Sequence, residues 1–113
     1  MPLFCISSDY TPEAITAMRN NPNTNRREAT EQLLEAAGAK LVAMYGRTEN
    51  GPGTLVIFEC NDLHMVPAIL RVAKSSGAGE NIRIQRLVSM DEVVTIEQNA
   101  QKLLGAYKAH GQQ

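Results

Sequence analysis

Three short stretches of the chain carry apolar residues at successive positions, not alternate ones: "LFCISS" (Leu3–Ser8), "KLVAMYGR" (Lys40–Arg47) and "TLVIFEC" (Thr54–Cys60). Their β-branched and aromatic content favours strands. Successive side chains of a strand point to opposite faces. Phe4 and Ile6 then oppose Leu3 and Cys5, Val42 and Met44 oppose Leu41 and Tyr45, and Val56 and Phe58 oppose Leu55 and Ile57. A sheet built from these segments needs cover on both faces, because large contiguous apolar patches are unusual on soluble monomers.

The segments between them supply helices. Thr11 suits an N-cap, Pro12 the first helical position and Glu13 the positive end of the helix dipole, with Ile15 and Met18 on one face. "NNPNTN" interrupts, since Pro22 cannot continue a helix. Asn25 and Glu28 mark a second start, and Ala29, Leu33, Leu34, Ala36 and Ala37 trace a stripe that Gly38 ends. Asp62 is placed to cap a third helix along Val66, Ile69, Leu70 and Ala73, with Pro67 awkward in its first turn. "IRIQRLV" (Ile82–Val88) alternates as a half-exposed strand. Ser89 and Glu92 form a capping box before the stripe Val93, Ile96, Ala100, Leu103, Leu104 and Tyr107, predicting a helix from about Met90 to Ala109.

The stretch "ENGPGTLVIFECND" (Glu49–Asp62) looks at first like a phosphate-binding loop. Such a loop needs a helix after it, whose free N–H groups face the anion. Here a strand follows, so the glycines predict a hairpin turn, with Asn50-Gly51 supplying positive φ.

The order β-α-β-β-α-β plus a helix, with right-handed crossovers, implies an α+β, ferredoxin-like sandwich with strand order 4-1-3-2. Its main helices cover one sheet face. Residues 1–92 form that domain, and residues 93–113 form an added C-terminal amphipathic helix and tail. With 113 residues the chain is one domain's worth. Its 11 basic and 12 acidic residues show no basic stripe, and strand three has one aromatic and no basic residue, which argues against a nucleic-acid platform. No apolar run is long enough to span a membrane, and no signal peptide is read at the start, so a cytoplasmic location is expected. Cys5 and Cys60 sit in apolar runs outside any CxxC pair and are expected as buried, reduced thiols.

The segments "DYTPEAITAM" and "NRREATEQLLEAAGAKLVAMY", with a proline between, resemble the N-terminal half of GYD-domain proteins, a branch of the dimeric α+β barrels. The resemblance continues through "GPGTLVIFECND" and "RLVSMDE" and covers roughly residues 1–92. It departs at the namesake motif: Gly51 matches the glycine, but Pro52 stands at the tyrosine and Gly53 at the aspartate. The resemblance implies a barrel formed by two copies. Its superfamily includes cofactor-independent monooxygenases, isomerases, ligand-sensing domains and proteins of no known activity. It fixes fold more than function.

In this topology strands one and two are parallel and share a rim that holds Tyr10, Tyr45 and Arg47. Phenol and guanidinium groups there could orient a polar or anionic ligand at a barrel mouth, or the tyrosine rings could simply pack in the core. The opposite rim holds Glu59, Cys60, Arg86 and His64. Glu59, at the end of an apolar strand, is expected to pair with an arginine such as Arg86, with a general-base role as the alternative. His64 is an acid–base candidate or a solvated early helical residue. His64, His110 and the two cysteines show no metal-ligand spacing, so no metal or cofactor is expected. Three readings follow. The first is a homodimer or higher homo-oligomer that binds a small hydrophobic ligand or serves a structural role. The second is a cofactor-independent monooxygenase or isomerase acting on a small hydrophobic substrate. The third is a nucleic-acid or partner-protein platform. No catalytic residue is assigned, and the C-terminal helix is expected to help seal the dimer, its rival being a fold back over its own sheet.

Overall fold

A computed structural model describes residues 1–107 and 111. The elements are β1 (Leu3–Tyr10), α1 (Pro12–Asn20), α2 (Arg26–Ala36), β2 (Lys40–Arg47), β3 (Gly53–Glu59), α3 (Met65–Ser75), β4 (Gly79–Leu87) and α4 (Met90–Leu103). All strand pairs are antiparallel in the order β2-β3-β1-β4, so β1 and β2 are parallel and share a rim as expected. Among the described residues no helix is long and apolar enough to cross a membrane.

The local signals act as read. Thr11 accepts from the Ala14 N–H, Asn25 from the Arg27 and Glu28 N–H groups, and Ser89 with Glu92 forms the capping box. Asn50 and Gly51 take φ of 59° and 89° at the tip of the β2–β3 loop. The Tyr10 N–H donates to the Pro52 carbonyl at 3.0 Å, tying that loop to the end of β1. The strand β3 follows the loop, not the helix that a phosphate cradle would require. One cap differs. His64, not Asp62, is the N-cap of α3 and makes no side-chain cap bond. Asp62 instead accepts the His64 N–H at 2.9 Å in a local turn. Pro67 is tolerated because it lies in the first turn, where helical N–H groups have no intrahelical partner.

Phe4, Ile6, Leu34, Val56, Phe58, Cys60, Val66 and Ile69 form the core between α2, α3 and one sheet face. Phe4 and Phe58, opposite each other on β1 and β3, stack with ring centroids 5.6 Å apart. Cys5 and Cys60 are buried and unbridged, and burial pushes the Cys5 thiol up, away from the reactive thiolate.

Strict alternation fails in β2. The register shifts between Leu41 and Ala43, so Leu41 pairs with Phe58 and Met44 with Val56, both on the helix side. A β-bulge lets two apolar residues three apart share one face, and it leaves Val42 exposed. The open face then carries four rows across β2-β3-β1-β4: Arg47, Gly53, Asp9 and Glu80; Tyr45, Leu55, Ser7 and Arg83; Ala43, Ile57, Cys5 and Gln85; Lys40, Glu59, Leu3 and Leu87. Its centre is apolar and its edges are polar.

The helix α4 makes no substantial packing contact with any other element among the described residues. Met90, Val94, Ile96, Leu103, Leu104 and Tyr107 are all exposed on the chain alone. The radius of gyration is 18.1 Å, against about 13 Å for a compact domain of 100 residues. The helix stands off the body and does not fold back over its own sheet. It ends at Leu103, short of the expected Ala109, because the chain turns at residues 104–106; residues 108–110, 112 and 113, with Ala109, His110 and most of the tail, lie outside those described.

Candidate functional site

A cavity of about 230 Å³ opens between the helical layer and the sheet. Its construction follows from register. Ser8 pairs with Thr54 in the row nearest the shared rim, and Ile6 pairs with Val56 in the row below, beside Met44. The two hydroxyls of the first row are hydrogen-bonded at 3.1 Å. The α2 helix runs back from that rim, bringing Arg26 and Thr30 to the opening and Leu33 and Leu34 to the interior; α3 supplies Ile69, Val72 and Ala73. The cavity is therefore polar at the mouth, where Ser8, Tyr10, Arg26, Thr30, Thr54 and Ser76 gather, and apolar below. Small-molecule sites share this arrangement of apolar walls with a few convergent polar groups. Among the described residues Arg26 is the only charged one that lines it, and no carboxylate or imidazole does.

A second constellation lies on the open face at the same rim. Gly53 sits between Arg47 and Asp9 in the register. With no side chain in the middle strand, the Arg47 guanidinium lies across Gly53. It bonds the Asp9 carboxylate, the Ser8 carbonyl at 3.1 Å and the Ser7 hydroxyl at 3.4 Å. The amide of Asn81, which adopts φ of 53°, donates to the other Asp9 oxygen at 3.0 Å. The bond from Arg47 holds the Asp9 carboxyl below its ordinary value, and the Asn81 bond adds to this. A Cβ at position 53 would overlap both the Ser8 carbonyl oxygen and Arg47 Nη2. Gly53, the position where the namesake motif has aspartate, thus has no room for any side chain.

The five residues singled out from sequence do not come together. Tyr10 lines the cavity mouth. Arg47 belongs to the open-face cluster, and Tyr45, 61% exposed, stands in the next row of that face. Glu59 is half-buried on the open face at the far rim. The expected Glu59–Arg86 pair does not form: Glu59 shares the row of Leu3 on the open face, whereas Arg86 pairs with Phe4 on the helix side. No ion pair involves Glu59 among the described residues. His64 is exposed at the start of α3, on the rim away from the cavity mouth. Sequence reasoning missed Ser8, Thr54, Arg26, Asp9, Gly53 and Asn81 as site residues. The one local signal was a pair of small hydroxyl residues at strand ends.

A four-stranded antiparallel sheet backed by helices on one face, with a cavity between the layers, defines a ferredoxin-like α+β domain. The family model of the GYD domain matches residues 4–96, and the chain belongs to that family. Among solved structures, the 30S ribosomal protein S6 from Thermotoga maritima is similar in fold, with a TM-score of 0.51 and 16% identity. The match covers 88% of this chain and 97% of that one. At that identity the likeness extends to the fold alone. No curated protein sequence matches the chain.

Proposed function

We propose that the protein is a small homodimeric module that binds a small, largely apolar molecule in the cavity between its helices and its sheet. The cavity itself carries this reading: apolar walls below a ring of hydroxyls are built to hold and orient a ligand. Binding is favoured over catalysis as a cofactor-independent monooxygenase or isomerase. The cavity offers hydroxyls and one guanidinium, but among the described residues none of the carboxylates or imidazoles that proton transfer usually employs lines it.

The dimer rests on two surfaces that the helices of the body do not cover. One is the open sheet face, with the half-buried Leu55 and Ile57 at its centre and charged residues at its margins, the apolar-core and polar-rim pattern of protein interfaces. The other is the unaccompanied stripe of α4. Packing two sheets face to face, with each α4 laid against the partner, would cover both. Val56 and Phe58 point to the helices, so the partner-facing pair on β3 is Leu55 and Ile57. Sedimentation equilibrium at low micromolar concentration tests the assembly. A mass near twice 12.4 kDa is expected, falling toward 12.4 kDa in Ile57→Glu. A wild-type mass of 12.4 kDa would sink the dimer. For the cavity, toluene titrated into labelled protein should shift the methyl resonances of Leu33, Val56 and Ile69. Ala73→Phe, which fills the space, should abolish those shifts, and their absence in the wild type would remove the binding reading.

A further inference from the structure

We infer that the ligand is a small amphipathic monoanion, such as an aromatic or branched aliphatic carboxylate, that enters tail first and leaves its charged head at Arg26. The inference rests on the binding reading above and adds the ligand's charge and orientation.

Polarity in the cavity is ordered by depth. The Ser8–Thr54 row lies at the mouth, and the row of Ile6, Val56 and Met44 lies beneath it. A ligand with polar groups at both ends would bury one of them against apolar walls, at a cost that hydrogen bonds there could not offset. A wholly apolar ligand would leave the hydroxyls of Ser8 and Thr54 satisfied only by each other. An amphipathic molecule fits both zones.

The sign of the head group follows from the lining. Arg26 is the one ionic side chain on the cavity wall among the described residues, and it stands at the first position of α2. The neighbouring Arg27 is paired with Glu31 at 2.7 Å, whereas Arg26 has no ion-pair partner among the described residues. A guanidinium presents a planar fork of donors that matches a carboxylate. Among the described residues no lining carboxylate attracts a cation or competes for Arg26. The Tyr10 hydroxyl can donate to a carboxylate oxygen, and so can one hydroxyl of the Ser8–Thr54 pair, whose shared bond uses only one of their two protons; the Thr30 hydroxyl is committed to the Arg26 carbonyl at 3.1 Å. The volume of about 230 Å³ lies below the roughly 300–1,000 Å³ of drug-sized sites, which limits the tail to a single ring or a short branched chain.

Three probes of one shape and different charge test this on the full chain: benzoate, benzyl alcohol and benzylamine, each titrated by methyl and amide NMR at pH 7. Benzoate is expected to bind tightest, with shifts at Val56, Ile69 and Leu33 and at the Arg26 side chain. Arg26→Gln should weaken benzoate about fivefold, in line with a partly exposed charge-assisted contact, and leave benzyl alcohol unchanged. Arg26→Lys should retain part of the preference. Position 26 is exposed, so the variants keep the fold. Equal binding of benzoate and benzyl alcohol, or a preference for benzylamine, would overturn the charge assignment while the cavity remained a binding site. Failure of all three probes to shift any cavity resonance would remove the binding reading and the inference with it.

Discussion

Replacing Gly53 with alanine adds one methyl group where the structure has no room for it. Two effects oppose each other. Alanine restricts the unfolded chain and favours the folded state by about 0.4–1 kcal/mol at a compatible site. Against this, the new Cβ would overlap a backbone carbonyl, that of Ser8, as well as the end of the Arg47 side chain. Arg47 can swing away, but the Ser8 carbonyl is fixed by the β1 ladder, so the strands themselves must shift. Overpacking of this kind costs about 1–3 kcal/mol, and a backbone obstacle places it toward the upper end. The net expectation is a loss of about 2 kcal/mol. Urea unfolding at fixed protomer concentration should show a midpoint lowered by roughly 1 M, given slopes of about 1–3 kcal/mol/M. A second readout follows from the displaced guanidinium. Arg47 holds the Asp9 carboxyl below its ordinary value of 3.8. In the native protein this contribution is present above 3.8 and is lost as pH falls through the lower folded value. In Gly53→Ala the Asp9 titration, followed by NMR, should move up toward 3.8, and that acid-side loss of stability should shrink. A variant with an unchanged urea midpoint and an unchanged Asp9 titration would refute the reasoning, because Arg47 would then not depend on the bare glycine.

Two further substitutions probe the body and the outlying helix. Phe58→Ala removes a ring with 0% exposure from the centre of the core and should cost about 3–5 kcal/mol, a large part of a typical domain's stability; denaturant unfolding checks this, and a loss under about 1 kcal/mol would mean the core collapses around the gap. Ser89→Ala breaks the capping box of α4 and should cost that helix about 1 kcal/mol, seen as faster amide exchange over residues 90–93 with the sheet unaffected.

Much of the fold is legible in short-range chemistry. Thr11, Asn25 and Ser89 start helices because a side-chain oxygen reaches an N–H two or three residues on, and nothing distant is needed. Asn50 and Gly51 turn the β2–β3 loop because both tolerate positive φ. The strands follow from composition, and their order follows from the rules of chain crossover. These features are local or combinatorial, so a reader of the chain can reach them.

The site lies beyond that reach. The sheet face of Leu41 depends on a bulge that repeats no pattern in the sequence; a single extra residue reverses the side on which a side chain falls. Glu59 and Arg86 look like partners on a shared rim, yet each points to a different face. Arg47 meets Asp9 only because register places Gly53 between them. The cavity gathers Ser8, Arg26, Thr54 and Ala73 from four separate elements, and α4 carries an apolar stripe that its own body leaves uncovered. Each of these depends on pairing between residues far apart in the chain. That pairing is set by the sum of packing over the whole core, so no short window of sequence contains it.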